Sequence, residues 1–314
     1  MTATVELDAQ YRQLREECGL LERPRGAIDV LGPDGAEYLQ GQLTNDVEAL
    51  GVGEGQYAAL LDRKGHMQTD LRVLRVGEDA ILLDTEPATK DAALRHLTMY
   101  SIGRDVQVGD ATAERAFLSL IGPRAAEIAG TPPLPEFANE ATKLASVDVV
   151  AVGTREGIDI LFPAAERERV IAALTEAGAV EVSPEAVEIL RVEAGVPRFG
   201  AEMDAGTMPA EASIVDDAIS FTKGCYIGQE TVARLHYKGK PNKHLRGLRL
   251  SASAAPGAAL RLGDKELGTL GGAVVSPAHG PIGLAIVRRE AEPGTEITVG
   301  EDGVTAEVVA LPFS

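Results

Sequence analysis

The sequence has no tryptophan, and aromatic residues make up only 4% of it, so it offers few platforms for stacking nucleic-acid bases. It has two cysteines, Cys18 and Cys225, which lie far apart and form no CxxC pair. Neither a disulfide framework nor a four-ligand zinc site is expected, and both thiols suit a reducing compartment. No uninterrupted apolar run approaches the roughly 20 residues that a helix needs to cross a bilayer. The opening Met1-Thr2-Ala3-Thr4-Val5-Glu6 lacks the basic and apolar regions of a secretory signal. A cytoplasmic location without a membrane partner is the expectation. Positive charge is also scarce. The formal net charge of −18 repels a polyanion over most of the surface and argues against nucleic acid as a partner.

One stretch departs from that balance. From Arg234 to Arg249 the chain carries Arg234, Lys238, Lys240, Lys243, Arg246 and Arg249, with His236 and His244, and no Asp or Glu. It reads either as a solvated strand and loop or as a landing strip for an anion. The rest of the composition is that of a folded chain: 314 residues, 45% hydrophobic and 25% charged, enough for two or three domains.

Periodicity and turn residues give a coarse map. A strand at Gly26–Leu31 meets the turn Gly32-Pro33-Asp34 and a helix over about Gly35–Leu43. Strand-like runs follow at Gln56–Asp62, Met67–Val76 and Ala80–Asp84, connected as hairpins. Pro87 opens a helix to Tyr100. A second α+β stretch has strands near Ala116–Ile121, Val147–Val152 and Ile158–Phe162, then a helix from Ala164 to Glu176. Ser183-Pro184 and Gly195 bracket another helix, which carries Arg191 and Glu193. Beyond Pro241 the runs Leu245–Leu250, Lys265–Val275, Ile282–Arg288, Glu296–Val299 and Val304–Ala310 predict a small barrel or sandwich, with a domain boundary near Lys240. No internal repeat is visible.

Cys225 stands out chemically. Gly224 and Gly228 let the backbone turn tightly around it, and Lys223 favours a thiolate if the two side chains converge. A free cysteine is otherwise most often a small buried hydrophobe. On its strand Asp70 shares a face with Gln68 and Arg72, opposite Met67, Leu71 and Val73, so it faces either a polar cavity or a salt bridge with Arg72.

The octapeptide Lys223-Gly224-Cys225-Tyr226-Ile227-Gly228-Gln229-Glu230 resembles the signature of the YgfZ proteins. These are folate-binding factors related to the glycine-cleavage aminomethyltransferase, the T-protein, and implicated in maintaining iron–sulfur enzymes. The resemblance extends to Gly41-Gln42-Leu43-Thr44-Asn45-Asp46-Val47, to Tyr57–Asp70, and to Leu190-Arg191-Val192-Glu193-Ala194-Gly195, which is similar to the T-protein stretch supplying a folate-contacting glutamate. Two places differ from T-proteins. Where they carry a Gly-Gly…Asp-Asp pattern, this chain reads Gly65-His66-Met67-Gln68-Thr69-Asp70, and where they typically have an aspartate it has Cys225.

The resemblance implies an α+β fold: a clover-leaf of two interlocked, partly discontinuous α+β domains over residues 1–240 and a C-terminal β-barrel over 241–314, around a central folate channel. It implies tetrahydrofolate or a one-carbon derivative as cofactor. Glu193, Arg191, Lys223, Tyr226, Gln229, Asn45 and Asp46 would bind it, Cys225 and Asp70 would act in catalysis, and no metal ligands are indicated. Glu193 would accept the pterin's N–H donors. The implied function is a folate-dependent factor in iron–sulfur cluster assembly or repair, with Cys225 active and the assembly machinery or its client enzymes as partners. A folate-dependent one-carbon transferase using Asp70 is the alternative, and a folate-binding module without chemistry is a third reading. The basic stretch would then meet the polyglutamate tail of cellular folates.

Overall fold

The computed structural model describes residues 2–314. In chain order the elements are α1 (Thr2–Glu16), β1 (Gly19–Glu22), β2 (Gly26–Leu31), α2 (Gly35–Gln40), β3 (Gly55–Leu61), β4 (Met67–Gly77), β5 (Ala80–Thr85), α3 (Pro87–Tyr100), β6 (Gln107–Asp110), β7 (Arg115–Ile121), α4 (Ala125–Ala129), β8 (Asn139–Leu144), β9 (Val147–Thr154) and β10 (Gly157–Pro163). A 3-10 turn (Ala164–Glu166) leads into α5 (Arg167–Glu176), followed by β11 (Val180–Glu181), α6 (Pro184–Ala194), α7 (Val215–Ala218) and α8 (Gln229–Lys238). The last strands are β12 (Lys243–Leu250), β13 (Ala259–Leu262), β14 (Lys265–Thr269), β15 (Ala273–Ser276), β16 (Gly280–Arg288), β17 (Glu296–Val299) and β18 (Val304–Val309). Among the described residues no helix is long and apolar enough to cross a membrane.

The chain forms two compact units, and neither is continuous in sequence. The first comprises the chain through Lys64, Gln68–Ser183 and Asp217–Gln229; the second comprises Gly65–Met67, Pro184–Asp216 and Glu230–Ser314. Residues 184–216 therefore go with the C-terminal sheet.

The first unit has four layers. A five-stranded sheet, ordered β3-β4-β5-β2-β6, lies against a six-stranded sheet, ordered β11-β1-β7-β10-β9-β8. Strand alternation divides the side chains between the faces. Ala27, Leu74 and Leu82 from the first sheet meet Phe117, Val152 and Leu161 from the second. The opposite face of the five-stranded sheet, with Ile28, Val30, Val73 and Leu83, is covered by Tyr38 and Leu39 of α2 and by Ala93 and Leu97 of α3. Ile128 of α4 and Val170 and Leu174 of α5 cover the other sheet in the same way.

Charged residues also lie between the sheets. The Arg72 guanidinium donates from Nε to Asp84 of its own sheet at 2.7 Å and from Nη1 to Asp159 of the facing sheet at 2.6 Å. Ser119 completes Asp159 at 2.6 Å, and Arg25 completes Asp84 at 2.5 Å. Burial works against charge on the fully buried Asp84, yet Arg25 and Arg72 hold its carboxyl below the usual value. Such buried pairs fix geometry more surely than they add stability. The salt bridge anticipated for Arg72 is thus made with Asp84 and Asp159.

The two halves of this unit repeat one another, which the sequence pattern had not suggested. Gly32-Pro33-Asp34-Gly35-Ala36-Glu37 after β2 and Gly122-Pro123-Arg124-Ala125-Ala126-Glu127 after β7 make the same turn into the same helix. Gly32 and Gly122 adopt φ of 125° and 128°. A Cβ at either would lie 2.4 Å from a backbone carbonyl oxygen, of Asp105 and Glu17 respectively, so only glycine fits. In each half a three-strand meander and a helix follow. In the second half, β1 from the N-terminal segment takes the place that β6 holds in the first, since each pairs antiparallel with the strand that opens its half. The few shared residues, separated by unrelated sequence, explain why the repeat is hidden.

The second unit carries a seven-stranded antiparallel sheet, ordered β14-β13-β17-β18-β12-β16-β15, wrapped around Leu248, Leu260, Leu267, Val287, Ile297 and Val308. It curls into a half-barrel rather than closing fully. The expected strand Lys265–Val275 is broken at Gly271-Gly272, where Gly271 donates to Leu284 O and Leu284 donates to Gly272 O, both at 2.8 Å. A Cβ at Gly271 would sit 3.0 Å from Leu284 O, so this approach favours glycine. Helix α6 starts at Pro184 and stops before Gly195, whose φ is 71°.

Candidate functional site

Three of the sequence blocks that resemble the family come together inside the first unit. Thr44 donates to Ala218 O at 2.6 Å, and Ser220 N donates back to Thr44 O at 3.1 Å. Asn45 Nδ2 donates to Tyr57 O at 2.9 Å and to Asp217 O at 3.1 Å. Asp46 accepts Gln40 Nε2 at 2.9 Å, while Gln40 Oε1 accepts Val47 N at 2.8 Å. Asn45 and Asp46 thus shape the loop that follows α2.

Lys223 ties the octapeptide to the same loop. Its side chain is buried, and its ammonium donates to the carbonyls of Gln40 at 2.6 Å, Leu43 at 2.7 Å and Asn45 at 2.8 Å. An ammonium has three N–H donors, and all three are engaged. Burial lowers its pKa to about 8, with Asp46 and Glu48 opposing the shift. Its ammonium also lies 5.2 Å from the ring centre of Tyr226, whose hydroxyl burial pushes up to about 12. The condition set for thiolate activation, convergence of Lys223 on Cys225, is not met: the ammonium is committed to α2 and its loop. Cys225 itself is exposed, whereas Cys18 is buried and its thiol is pushed up to about 11 by burial. Gln229 is half-buried at the first position of α8, so the motif ends in a helix rather than a loop. The basic stretch, expected as strand and loop, likewise begins within α8, with Arg234 and Lys238 exposed.

Asp70 is the most unusual acid of the unit. Its Oδ2 accepts the Tyr57 hydroxyl from neighbouring β3 at 2.6 Å. Its Oδ1 is out of solvent contact and has no hydrogen-bond partner, although the residue as a whole keeps partial access. Burial raises the carboxyl above its usual value, against the Tyr57 hydrogen bond and the nearby Arg25. An unsatisfied buried acceptor costs about 1–3 kcal/mol, and native chains retain few of them.

The strand is pinned from behind. Thr85 Oγ1 donates to Asp70 O at 2.7 Å, and the Thr69 hydroxyl lies 2.7 Å from that of Thr85 and 2.6 Å from that of Thr89. Sequence reasoning did not single out Tyr57, Arg25 or these threonines. Tyr57 alone had a signal, as the first residue of a matched block.

Glu193 and Arg191 belong to the second unit. Glu193 is 4% exposed, and its Oε1 accepts Ser276 Oγ at 2.5 Å. Arg191 pairs with Glu188 at 2.7 Å and Glu202 at 2.9 Å and donates to Val196 O at 2.5 Å, so its guanidinium is engaged within the protein. A cleft of about 980 Å³ in the first unit, lined by Asp29, Arg115, Lys143 and Asp148, contains none of the anticipated site residues.

The geometry defines an α+β protein with one carboxyl oxygen, Asp70 Oδ1, out of solvent contact and without a hydrogen-bond partner. The GCVT N-terminal domain family matches residues 3–223. An aminomethyltransferase of Rubrobacter xylanophilus is 30% identical over 98% of this chain and 86% of that protein. One of Saccharopolyspora erythraea is 29% identical over 97% and 89%. The crystal structure of glycine cleavage system aminomethyltransferase T from Bartonella henselae shares the fold, with a TM-score of 0.89 at 23% identity over 98% of this chain and 89% of that one. The chain belongs to the GCVT family.

Proposed function

We propose that the protein is a folate-dependent one-carbon transferase of the aminomethyltransferase type, with Asp70 as its acid–base group. The observation that carries this reading is the Asp70 Oδ1 atom, buried and without a partner beside a hydrogen-bonded Oδ2. A substrate nitrogen can supply the missing donor. Tyr57 and the threonine cluster hold the carboxyl in place, and its raised pKa brings proton exchange nearer to neutral pH.

Tetrahydrofolate, when bound, supplies ring nitrogens that accept a one-carbon unit. Glu193 suits such a ligand, because a buried carboxylate accepts pterin N–H donors strongly. Lys223 and Arg191 fit less well as direct contacts, since their donors are engaged within the protein. The names of the relatives support the transferase over an iron–sulfur assembly factor of the YgfZ kind.

The test is an aminomethyl-transfer assay with purified protein and tetrahydrofolate. Asp70→Asn is expected to lower kcat by about 10²–10⁴, the usual contribution of general acid–base catalysis. Glu193→Ala is expected to weaken folate binding about ten- to a hundredfold. A wild-type protein that binds folate but transfers nothing would remove the transferase reading.

The exposure of Cys225 favours one further test. A deletion strain should recover iron–sulfur enzyme activity with wild type but not with Cys225→Ser if that thiol acts in cluster maintenance. Equal recovery leaves the thiol without that role.

A further inference from the structure

The hairpin between β15 and β16 ends in Ser276-Pro277-Ala278-His279-Gly280, with Ser276 opposite Gly280. Ser276 is 2% exposed. Its Oγ accepts backbone N–H groups from Ala278 at 3.0 Å and His279 at 2.9 Å. A hydroxyl has two acceptor lone pairs and one proton. Both acceptor positions are taken, so the proton goes to Glu193 Oε1, 2.5 Å away. Two N–H groups drawing on the oxygen make that O–H a stronger donor. The main chain of Glu193 is held as well, because Phe313 N donates to its carbonyl at 3.0 Å.

We infer that Ser276 is the positioning residue for Glu193, locking the carboxylate plane in which the pterin donors are received. This rests on the folate-binding reading of Glu193. The Ser276 hydroxyl engages one acceptor site of the carboxylate. Its hydroxyl fixes the rotation of the carboxylate about its last bond, which is otherwise broad. The half-barrel sheet thereby serves binding without touching the ligand through this serine.

Calorimetry with tetrahydrofolate and thermal melting test the inference on wild type, Ser276→Ala, Ser276→Cys, Glu193→Ala and the Ser276→Ala/Glu193→Ala pair. Ser276→Ala is expected to bind about tenfold more weakly while still melting as a folded protein, at a temperature lowered by loss of the Ala278 and His279 hydrogen bonds. In the Glu193→Ala background it should cost no further affinity, a non-additivity that a merely structural role would not produce. Ser276→Cys keeps the shape with a poor donor, so it should also bind more weakly, and it decides the matter if the alanine variant fails to fold. Wild-type affinity in Ser276→Cys or Ser276→Ala, with weakened binding in Glu193→Ala, overturns the role of Ser276 alone. Unchanged affinity in Glu193→Ala overturns the reading of Glu193 and this inference with it.

Discussion

Replacing Lys223 by methionine removes one ammonium and leaves a side chain of similar length in the same buried slot. Three carbonyl groups, of Gln40, Leu43 and Asn45, then lose donors that now lie at 2.6, 2.7 and 2.8 Å. Each unsatisfied buried group costs about 1–3 kcal/mol, but water can reach the two part-buried carbonyls, so only that of Leu43 bears the full penalty. Against this, methionine no longer carries the cost of burying a charge, which is what lowers the Lys223 pKa to about 8. With the partial penalties at the other two carbonyls offset by that relief, the balance comes to a loss of about 1–3 kcal/mol, read as a lower urea midpoint with an unchanged slope. Lys223→Arg should not restore it, because a planar guanidinium cannot aim three donors at carbonyls converging on one point. Loosening of the loop should also perturb Asn45 and, through it, Tyr57. A stability within about 0.5 kcal/mol of wild type would show that the clamp contributes nothing.

Asp70→Asn should raise stability at neutral pH while lowering kcat by about 10²–10⁴, since the amide carries no charge for the partly buried site to desolvate. The folded carboxyl has a raised pKa, so wild-type stability is favoured at low pH and falls as pH rises through the window above the usual carboxylate value; urea titrations should show the variant's advantage vanish near pH 4. Mass spectrometry after brief iodoacetamide treatment should find Cys225 modified and Cys18 intact, with both modified in urea; the opposite order would refute the burial assignment. Polyglutamylated folate should bind more tightly than the monoglutamate at low salt, by virtue of the exposed Arg234, Lys238, Lys240 and Lys243, and the difference should shrink as salt rises; equal affinities at low salt would dismiss the basic stretch as a folate contact.

Elements with strong local signals were legible in the sequence. Helix α3 follows Pro87 to the predicted Tyr100, and Glu296–Val299 falls where expected, because turn residues mark both ends. Alternation along β4 placed Asp70 and Arg72 on one face correctly. What Arg72 would bind was not legible, since Asp159 lies in another sheet and 87 positions away. Lys223 shows the same limit. Nearness in sequence pointed to Cys225, whereas a lysine stem is long enough to reach carbonyls more than 170 positions earlier in the chain. The roles of Tyr57 and Ser276 were hidden for a related reason: each acts on a carboxylate brought to it by the fold. The short strands β1, β6 and β8 and helix α1 were also missed, having no bracketing turn residues strong enough to announce them.

The broken-up second unit has a consequence for the order of events during synthesis. Helix α6 leaves the ribosome with Glu193 already in place, yet its hydroxyl partner Ser276 comes 83 residues later and Phe313 later still. At typical elongation rates of about 5–20 residues per second, a newly made Glu193 waits about 4–17 seconds for Ser276 and longer for Phe313. The first unit, complete once Gln229 has emerged, can meanwhile fold with its Asp70 and Lys223 arrangements intact. A chain cut after Lys240 should therefore retain a structured first unit and a Glu193 that lacks its Ser276 and Phe313 contacts, which form only once the half-barrel sheet has been made.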